Sequence, residues 1–185
     1  MTAIAAVVHD GRVYVGGDSA GVSGWTLSVR ADLKVFTNGP FVMGFTSSFR
    51  MGQLLRYAFV PPAHPNGVDD SRFMVTTFVD AVRDCLKAGG YAKKENEREE
   101  AGSFIVGYHG RLFIVCDDYQ IAEPADGIAA VGTGDAAALG ALFATPEKNP
   151  TERILLALAA AERHNMGVRG PFHVEVEPAR PGGES

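Results

Sequence analysis

Thr2 is the residue of this 185-residue chain whose placement bears most directly on chemistry. Removal of an initiator Met before a small residue makes Thr2 the first residue of the mature chain. A threonine hydroxyl alone is a poor nucleophile, but an N-terminal threonine carries its own base. The α-amino group, with an unperturbed pKa of about 7.7–8.0, takes the hydroxyl proton directly or through one water. The chemistry expected of such a residue is attack on an acyl group. Threonine at position 2 is common, so the assignment needs partners.

Other chemistries find little purchase. No HExxH, GxSxG, Walker loop or paired CxxC occurs. Gly132-Thr133-Gly134 resembles a fragment of a glycine-rich phosphate loop but lacks the following lysine. None of His9, His64, His109 and His173 pairs at metal-ligand spacing, and His164 reads either as a histidine at the negative end of a helix dipole or as a substitute partner for the amino terminus. Cys85 and Cys116 are too few for a disulfide scaffold and read as reduced core thiols. No cofactor and no metal are expected. The net charge of −5 and a pI near 5.5 argue against a dedicated nucleic-acid binder. Apolar runs fall short of the roughly 20 residues of a membrane span. The first ten residues lack a basic region before a long apolar stretch, so the expected compartment is the cytoplasm.

The elements that must position Thr2 follow from pattern. Thr2 to Val8 and Val13 to Gly17 read as a hairpin about Asp10-Gly11. Short strands are expected near Leu27 to Arg30 and Leu33 to Thr37, and Phe41 to Thr46 reads as a strand buried on both faces. Ser48 is a plausible N-cap for a helix carrying Met51, Leu54, Leu55 and Phe59. Residues 60–67 form a Pro-rich loop, and a second helix follows with Phe73, Val75, Phe78, Val79, Val82 and Leu86 as apolar positions and Gly89-Gly90 as its stop. The mixed charges of residues 93–100 read as a solvated loop or helix end.

Phe104 to Tyr108 and Arg111 to Cys116 read as a second hairpin. Gly11-Arg12 matches Gly110-Arg111, and Asp18 and Asp117 each fall six residues after the arginine. A strand at Ile128 to Val131, two helices (to Phe143, and Pro150 to Arg163) and a strand at Phe172 to Glu177 complete the order. Residues 179–185 are expected to fray, which leaves one domain over residues 1–178. Hairpins with grouped helices suggest two mainly antiparallel sheets packed together, with helices on both outer faces.

Thr2-Ala3-Ile4-Ala5-Ala6-Val7-Val8, Asp10-Gly11-Arg12-Val13, Gly16-Gly17-Asp18-Ser19-Ala20 and Arg30-Ala31-Asp32-Leu33-Lys34-Val35-Phe36 together resemble proteasome β-subunits. They are also similar to the ring subunit of the bacterial two-component ATP-dependent protease. In that family a nucleophilic threonine opens the chain, with an aspartate and a lysine around it. Asp18 and Lys34 stand at the family intervals from Thr2. Alone, Asp18 reads as a turn cap and Lys34 as a surface lysine; at family spacing they read as an active site. A lysine ammonium there favours the alkoxide and disfavours a protonated α-amine, and an aspartate beside it keeps it charged and directed.

The resemblance extends through Gly44-Phe45-Thr46-Ser47 and Gly132-Thr133-Gly134. It makes the Ser47 amide the oxyanion donor, with a side chain where the family has glycine. Thr133 takes the place of the family's serine near the amino group. The family's aspartate and serine after the penultimate helix correspond to the stretch His164 to Gly170, where Asn165 carries no charge and Val168 neither charges nor hydrogen-bonds. Trp25 flanks the substrate cleft or packs at a subunit contact, and both readings stand.

What the resemblance implies is an α+β, four-layer αββα fold of N-terminal-nucleophile (Ntn) hydrolases and a threonine peptidase acting on peptides or unfolded proteins. It implies a homo-oligomeric ring; an ATP-dependent unfoldase partner is compatible with it, though no residue here supports one. Two other readings remain: a proteasome-fold assembly subunit that does not cleave, and an Ntn amidohydrolase acting on a small amide.

Overall fold

A computed structural model describes residues 1–91, 93–95 and 98–179. The chain opens with strands β1 (Ile4–His9), β2 (Arg12–Gly17), β3 (Ala20–Ser23), β4 (Thr26–Val29), β5 (Val35–Asn38) and β6 (Phe41–Phe45). Helix α1 (Phe49–Tyr57) follows, then α2 (Asp70–Phe73), which runs through a π-helical turn (Met74–Phe78) into α3 (Val79–Ala88). Strands β7 (Lys93–Glu95), β8 (Arg98–Glu100), β9 (Phe104–Tyr108), β10 (Arg111–Val115), β11 (Ile121–Ala122) and β12 (Ile128–Val131) come next. Helices α4 (Asp135–Ala144) and α5 (Pro150–His164) and strand β13 (His173–Val176) close the described fold.

Two sheets dominate this α+β structure, one ordered β12-β1-β2-β13 and the other β11-β10-β9-β6-β5, with antiparallel pairing at every step. The sequence shows why both are interior. Successive side chains of a strand point to opposite faces, so a strand covered on both sides must be apolar throughout. In β1, Ile4 and Ala6 face Val35, Val42 and Ile105 of the other sheet. Ala5 and Val7 face the opposite way, onto Leu142, Ile154 and Leu158 of α4 and α5. The second sheet turns Phe36, Phe41, Met43 and Phe45 toward Leu55, Phe78 and Leu86 of the α1–α3 region. Each buried Val, Leu, Ile, Met or Phe side chain among these contributes about 1.5–3 kcal/mol.

Local signals set most helix starts. Ser48 Oγ accepts from Arg50 N at 3.1 Å, and Asn149 Oδ1 accepts from Glu152 N at 2.9 Å just before Pro150. The second helix starts at Asp70, capped by Asp69, three residues ahead of its first apolar position, Phe73. Three expectations change. Strand β3 joins β4 in a separate hairpin that the small residues Ala20 and Gly21 concealed. The charge run holds paired strands, Lys93 opposite Glu100, rather than a loop or helix end; it contains no apolar residue from which a strand period could be read. Strand β11 was likewise too short to carry a signal. The expected fraying tail lies, from residue 180 onward, outside the described residues.

Candidate active site

All five predicted site residues stand just beyond strand ends. Antiparallel pairing of Ile4 with Gly17 and Val131 puts the start of β1 beside the ends of β2 and β12. Thr2, Asp18 and Thr133 therefore converge. In the second sheet Val35 pairs with Gly44, which sets Lys34, ahead of β5, near Ser47, beyond β6. Gly132 between them adopts φ +103°, and a Cβ there would collide with the Thr2 carbonyl oxygen, so only glycine lets the β12 end approach Thr2.

Lys34 is at the centre, 2% exposed. Its Nζ donates to Thr2 Oγ1 at 2.9 Å and to Asp18 Oδ1 at 2.7 Å. Asp18 is equally buried and accepts three backbone amides besides: Ala3 N on Oδ1 at 3.1 Å, and Ala20 N and Arg169 N on Oδ2 at 3.0 and 3.3 Å. The carboxylate is thus aimed by backbone from three separate segments. Burial pushes the Lys34 pKa below the ordinary lysine value of 10.5; the Asp18 charge and hydrogen bond oppose that shift, and the Arg30 charge adds to it. Arg30 itself is held by Asp32, at 2.7 and 2.6 Å, with its guanidinium over the Phe49 ring.

The Thr2 hydroxyl also donates to the Met1 carbonyl at 2.5 Å. Met1 and Thr2 line one cleft with Ala20, Lys34, Phe45 and Ser47. The Met1 side chain lies against Gly167, where a Cβ would strike it. Thr2 N donates to Thr133 Oγ1 at 3.3 Å, and Thr133 Oγ1 donates in turn to Asn165 Oδ1 at 3.3 Å. Asn165 Nδ2 donates to the Thr133 carbonyl at 2.7 Å, while Gly167 N donates to Asn165 Oδ1 at 2.9 Å. Asn165 is therefore the group that contacts Thr133; His164 is exposed at the end of α5, and Val168 is buried in the α4–α5 core.

Ser47 has φ +64°, the left-handed region where glycine is favoured. Its hydroxyl lies 3.1 Å from Thr46 Oγ1. Across from it stands Gly102, where a Cβ would come within 2.5 Å of Ser47 Cβ. The side chain at 47 is accommodated by its absence at 102. No sequence signal pointed to Gly102, because the two positions meet only through tertiary packing. Trp25 stands at the tip of the β3–β4 hairpin, 96% exposed.

The cleft can hold an acyl group beside a hydroxyl, a buried cation and a backbone N–H. Among the described residues, the group whose donor atoms suit a metal ion is His64, Asp70 and His109, away from Thr2. No described helix is long and apolar enough to cross a membrane.

No protein-family model and no curated protein sequence matches the chain. Solved structures do. Thiobacillus denitrificans BPH in complex with epoxomicin is similar over 97% of this chain and 100% of its own, with a TM-score of 0.78 and 21% identity. HslV from Trypanosoma brucei is similar over 95% and 98%, at TM-score 0.67 and 20% identity. Anbu from Yersinia bercovieri, described as an ancestral β-subunit, is similar over 96% and 82%, at 0.66 and 15%. The resemblance to proteasome-like β-subunits read from the sequence thus holds at the level of fold.

Proposed function

We propose that this chain is a threonine peptidase of the proteasome-like type, built as a four-layer αββα sandwich, with Thr2 as its nucleophile once Met1 is removed. The observation that carries the reading is the buried contact of Lys34 Nζ with both Thr2 Oγ1 and Asp18 Oδ1. A charged lysine is costly to bury, and its placement against a hydroxyl has a chemical reason: it stabilises an alkoxide. The fold shared with the β-subunits adds support.

In this mechanism the freed α-amine of Thr2 takes the hydroxyl proton as Oγ1 attacks the scissile carbonyl carbon. Removal of Met1 also ends the hydrogen bond from Thr2 Oγ1 to the Met1 carbonyl. Lys34 stabilises the negative charge on Oγ1, and Asp18 keeps Lys34 charged and aimed. The Ser47 N–H faces the developing oxyanion. Collapse breaks the C–N bond, and the α-ammonium protonates the leaving amine. Water, deprotonated by the same amine, then attacks the Thr2 ester; the acid departs and Oγ1 recovers its proton. Thr133, held by Asn165, positions the amine.

The proposed substrates are peptides or unfolded protein, and the proposed assembly is a ring of identical chains. Exposed Trp25, Leu27 and Val29 on the β3–β4 hairpin supply apolar surface for such contacts.

A panel of short fluorogenic peptides, tested on wild type beside Thr2→Ala, is the experiment. Turnover lost in Thr2→Ala supports the reading. Failure of every peptide with turnover of a small amide transfers the mechanism to an amidohydrolase, and Met1 retained on every chain leaves an assembly subunit.

A further inference from the structure

His64 and His109 are 45 positions apart, yet the fold stacks their rings nearly parallel, 13° apart, with centroids 5.8 Å apart. His64 belongs to the Pro-rich loop after α1; His109 is in the β9–β10 turn; Asp70 opens α2 between them. His109 Nδ1 donates to Asp70 Oδ1 at 2.9 Å, a proton that a bound cation displaces, and His64 Nδ1 lies 3.7 Å from the same oxygen. The three donor atoms all fall within 4.8 Å of one another.

The tautomer of His64 is settled by its surroundings. Nε2 sits 2.7 Å from the Val68 carbonyl, which only accepts, so Nε2 carries the proton and Nδ1 presents its lone pair inward. That is the arrangement by which a backbone carbonyl orients a ligating imidazole. Stacking on Phe73, with centroids at 4.3 Å, fixes the ring plane. The Tyr108 hydroxyl, 2.8 Å away, donates to that lone pair and yields it to a cation. Arg111, the adjacent cation, is engaged by Glu123 and by Ser71 Oγ at 2.8 Å.

We infer that His64 Nδ1, His109 Nδ1 and Asp70 Oδ1 form a three-ligand site for a divalent first-row transition metal, with zinc the best fit. Zinc bonds of about 2.0–2.1 Å set tetrahedral ligands roughly 3.3–3.4 Å apart, and the two edges of 2.9 and 3.7 Å straddle that separation. Two imidazoles and one carboxylate suit its borderline character. The three side chains are 19–32% exposed, which gives a cation and a water for the fourth position a way in. Strand pairing places the site remote from Thr2: Gly107 of β9 pairs with Val42, whereas Phe104 pairs with Phe45 at the Ser47 end. The role is a clamp joining the Pro-rich loop, the start of α2 and the β9–β10 turn. It does not depend on the peptidase reading. Sequence spacing concealed it because the histidines meet only in the folded chain.

The test is titration of the full chain, stripped with chelator, with Zn²⁺ alone by calorimetry, and with Co²⁺ by visible absorption. The expected result is one Zn²⁺ per chain, a raised Tm, and Co²⁺ bands of a nitrogen–oxygen site without thiolate charge transfer. His109→Asn keeps a residue that tolerates the left-handed turn, φ +55°, and Asp70→Asn keeps the shape of the carboxylate. Each is expected to weaken binding at least tenfold and abolish the Tm rise, while His9→Ala leaves both intact. Absence of stoichiometric binding in the wild type overturns the inference, as does binding unchanged in both folded variants.

Discussion

Ser47 and Gly102 form a complementary pair: the side chain that Ser47 brings into the cleft occupies the space that Gly102 leaves empty. The backbone at 47, the proposed oxyanion donor, keeps a positive φ despite its Cβ. Gly102→Ala is therefore expected to cost about 1–3 kcal/mol by overpacking and to slow acylation. Ser47→Gly in the same chain relieves the contact. A double-mutant cycle on stability and on kcat/KM checks this; additive effects of the two substitutions would show that the residues are not coupled.

Lys34→Ala and Asp18→Ala remove opposite halves of one buried pair with unequal consequences. Without Lys34, the Asp18 carboxylate keeps three backbone donors, so the fold is retained. Acylation is expected to fall by at least ~10²–10³-fold as alkoxide stabilisation is lost. Without Asp18, Lys34 is left buried with its charge uncompensated, and the loss is about 3–5 kcal/mol. Urea denaturation and burst kinetics measure both, and near-normal acylation by Lys34→Ala would remove Lys34 from the mechanism.

Alkaline pH acts through Lys34. Its pKa is lowered by burial, so the folded chain releases that proton before the unfolded chain does, below 10.5. Between the lowered value and 10.5 the unfolded state binds more protons, and this group makes stability rise with pH; below that window the cost of the buried charge is fully present. Activity is expected to run the other way, because acylation in the proposed mechanism needs the ammonium. The pH profile of kcat/KM is expected to rise as the α-amine loses its proton and to fall again below pH 10.5. A profile still level at that pH contradicts the role of Lys34.

Glu177 joins the turns of the two matching hairpins. Its buried carboxylate accepts from Val13 N at 3.1 Å and from Gly110 N at 3.0 Å, and its carbonyl accepts from Arg12 Nε at 3.2 Å. Glu177→Ala strands the buried Val13 amide and the half-buried Gly110 amide, and is expected to cost about 1–3 kcal/mol for the first and less for the second. Chemical denaturation reads this as a lowered midpoint at unchanged slope, with peptide turnover preserved below the transition.

Thr2, Asp18 and Lys34 were legible through the family resemblance rather than from the residues alone; its intervals carry over because each residue lies next to a strand end whose register the pairing holds. The Gly11-Arg12 and Gly110-Arg111 hairpins were legible locally. Gly102 opposite Ser47, the Arg169 amide on Asp18 and the His64–Asp70–His109 cluster were hidden, since each contact spans segments far apart in the chain. Asn165 lay between these cases: the loop was identified, but its hydrogen bonds with Thr133 depend on how α5 packs beside β12. Strand β3 and the strands of residues 93–100 escaped because small or wholly charged residues carry no apolar period.

The most direct measurement is intact-mass and peptide-mapping analysis of the chain quenched during incubation with a peptide ester. Chains that begin at Thr2 and carry one acyl group, mapped to residue 2 and absent from Thr2→Ala, are the expected result. Turnover by chains that all retain Met1, or an acyl group on any other residue, would contradict it.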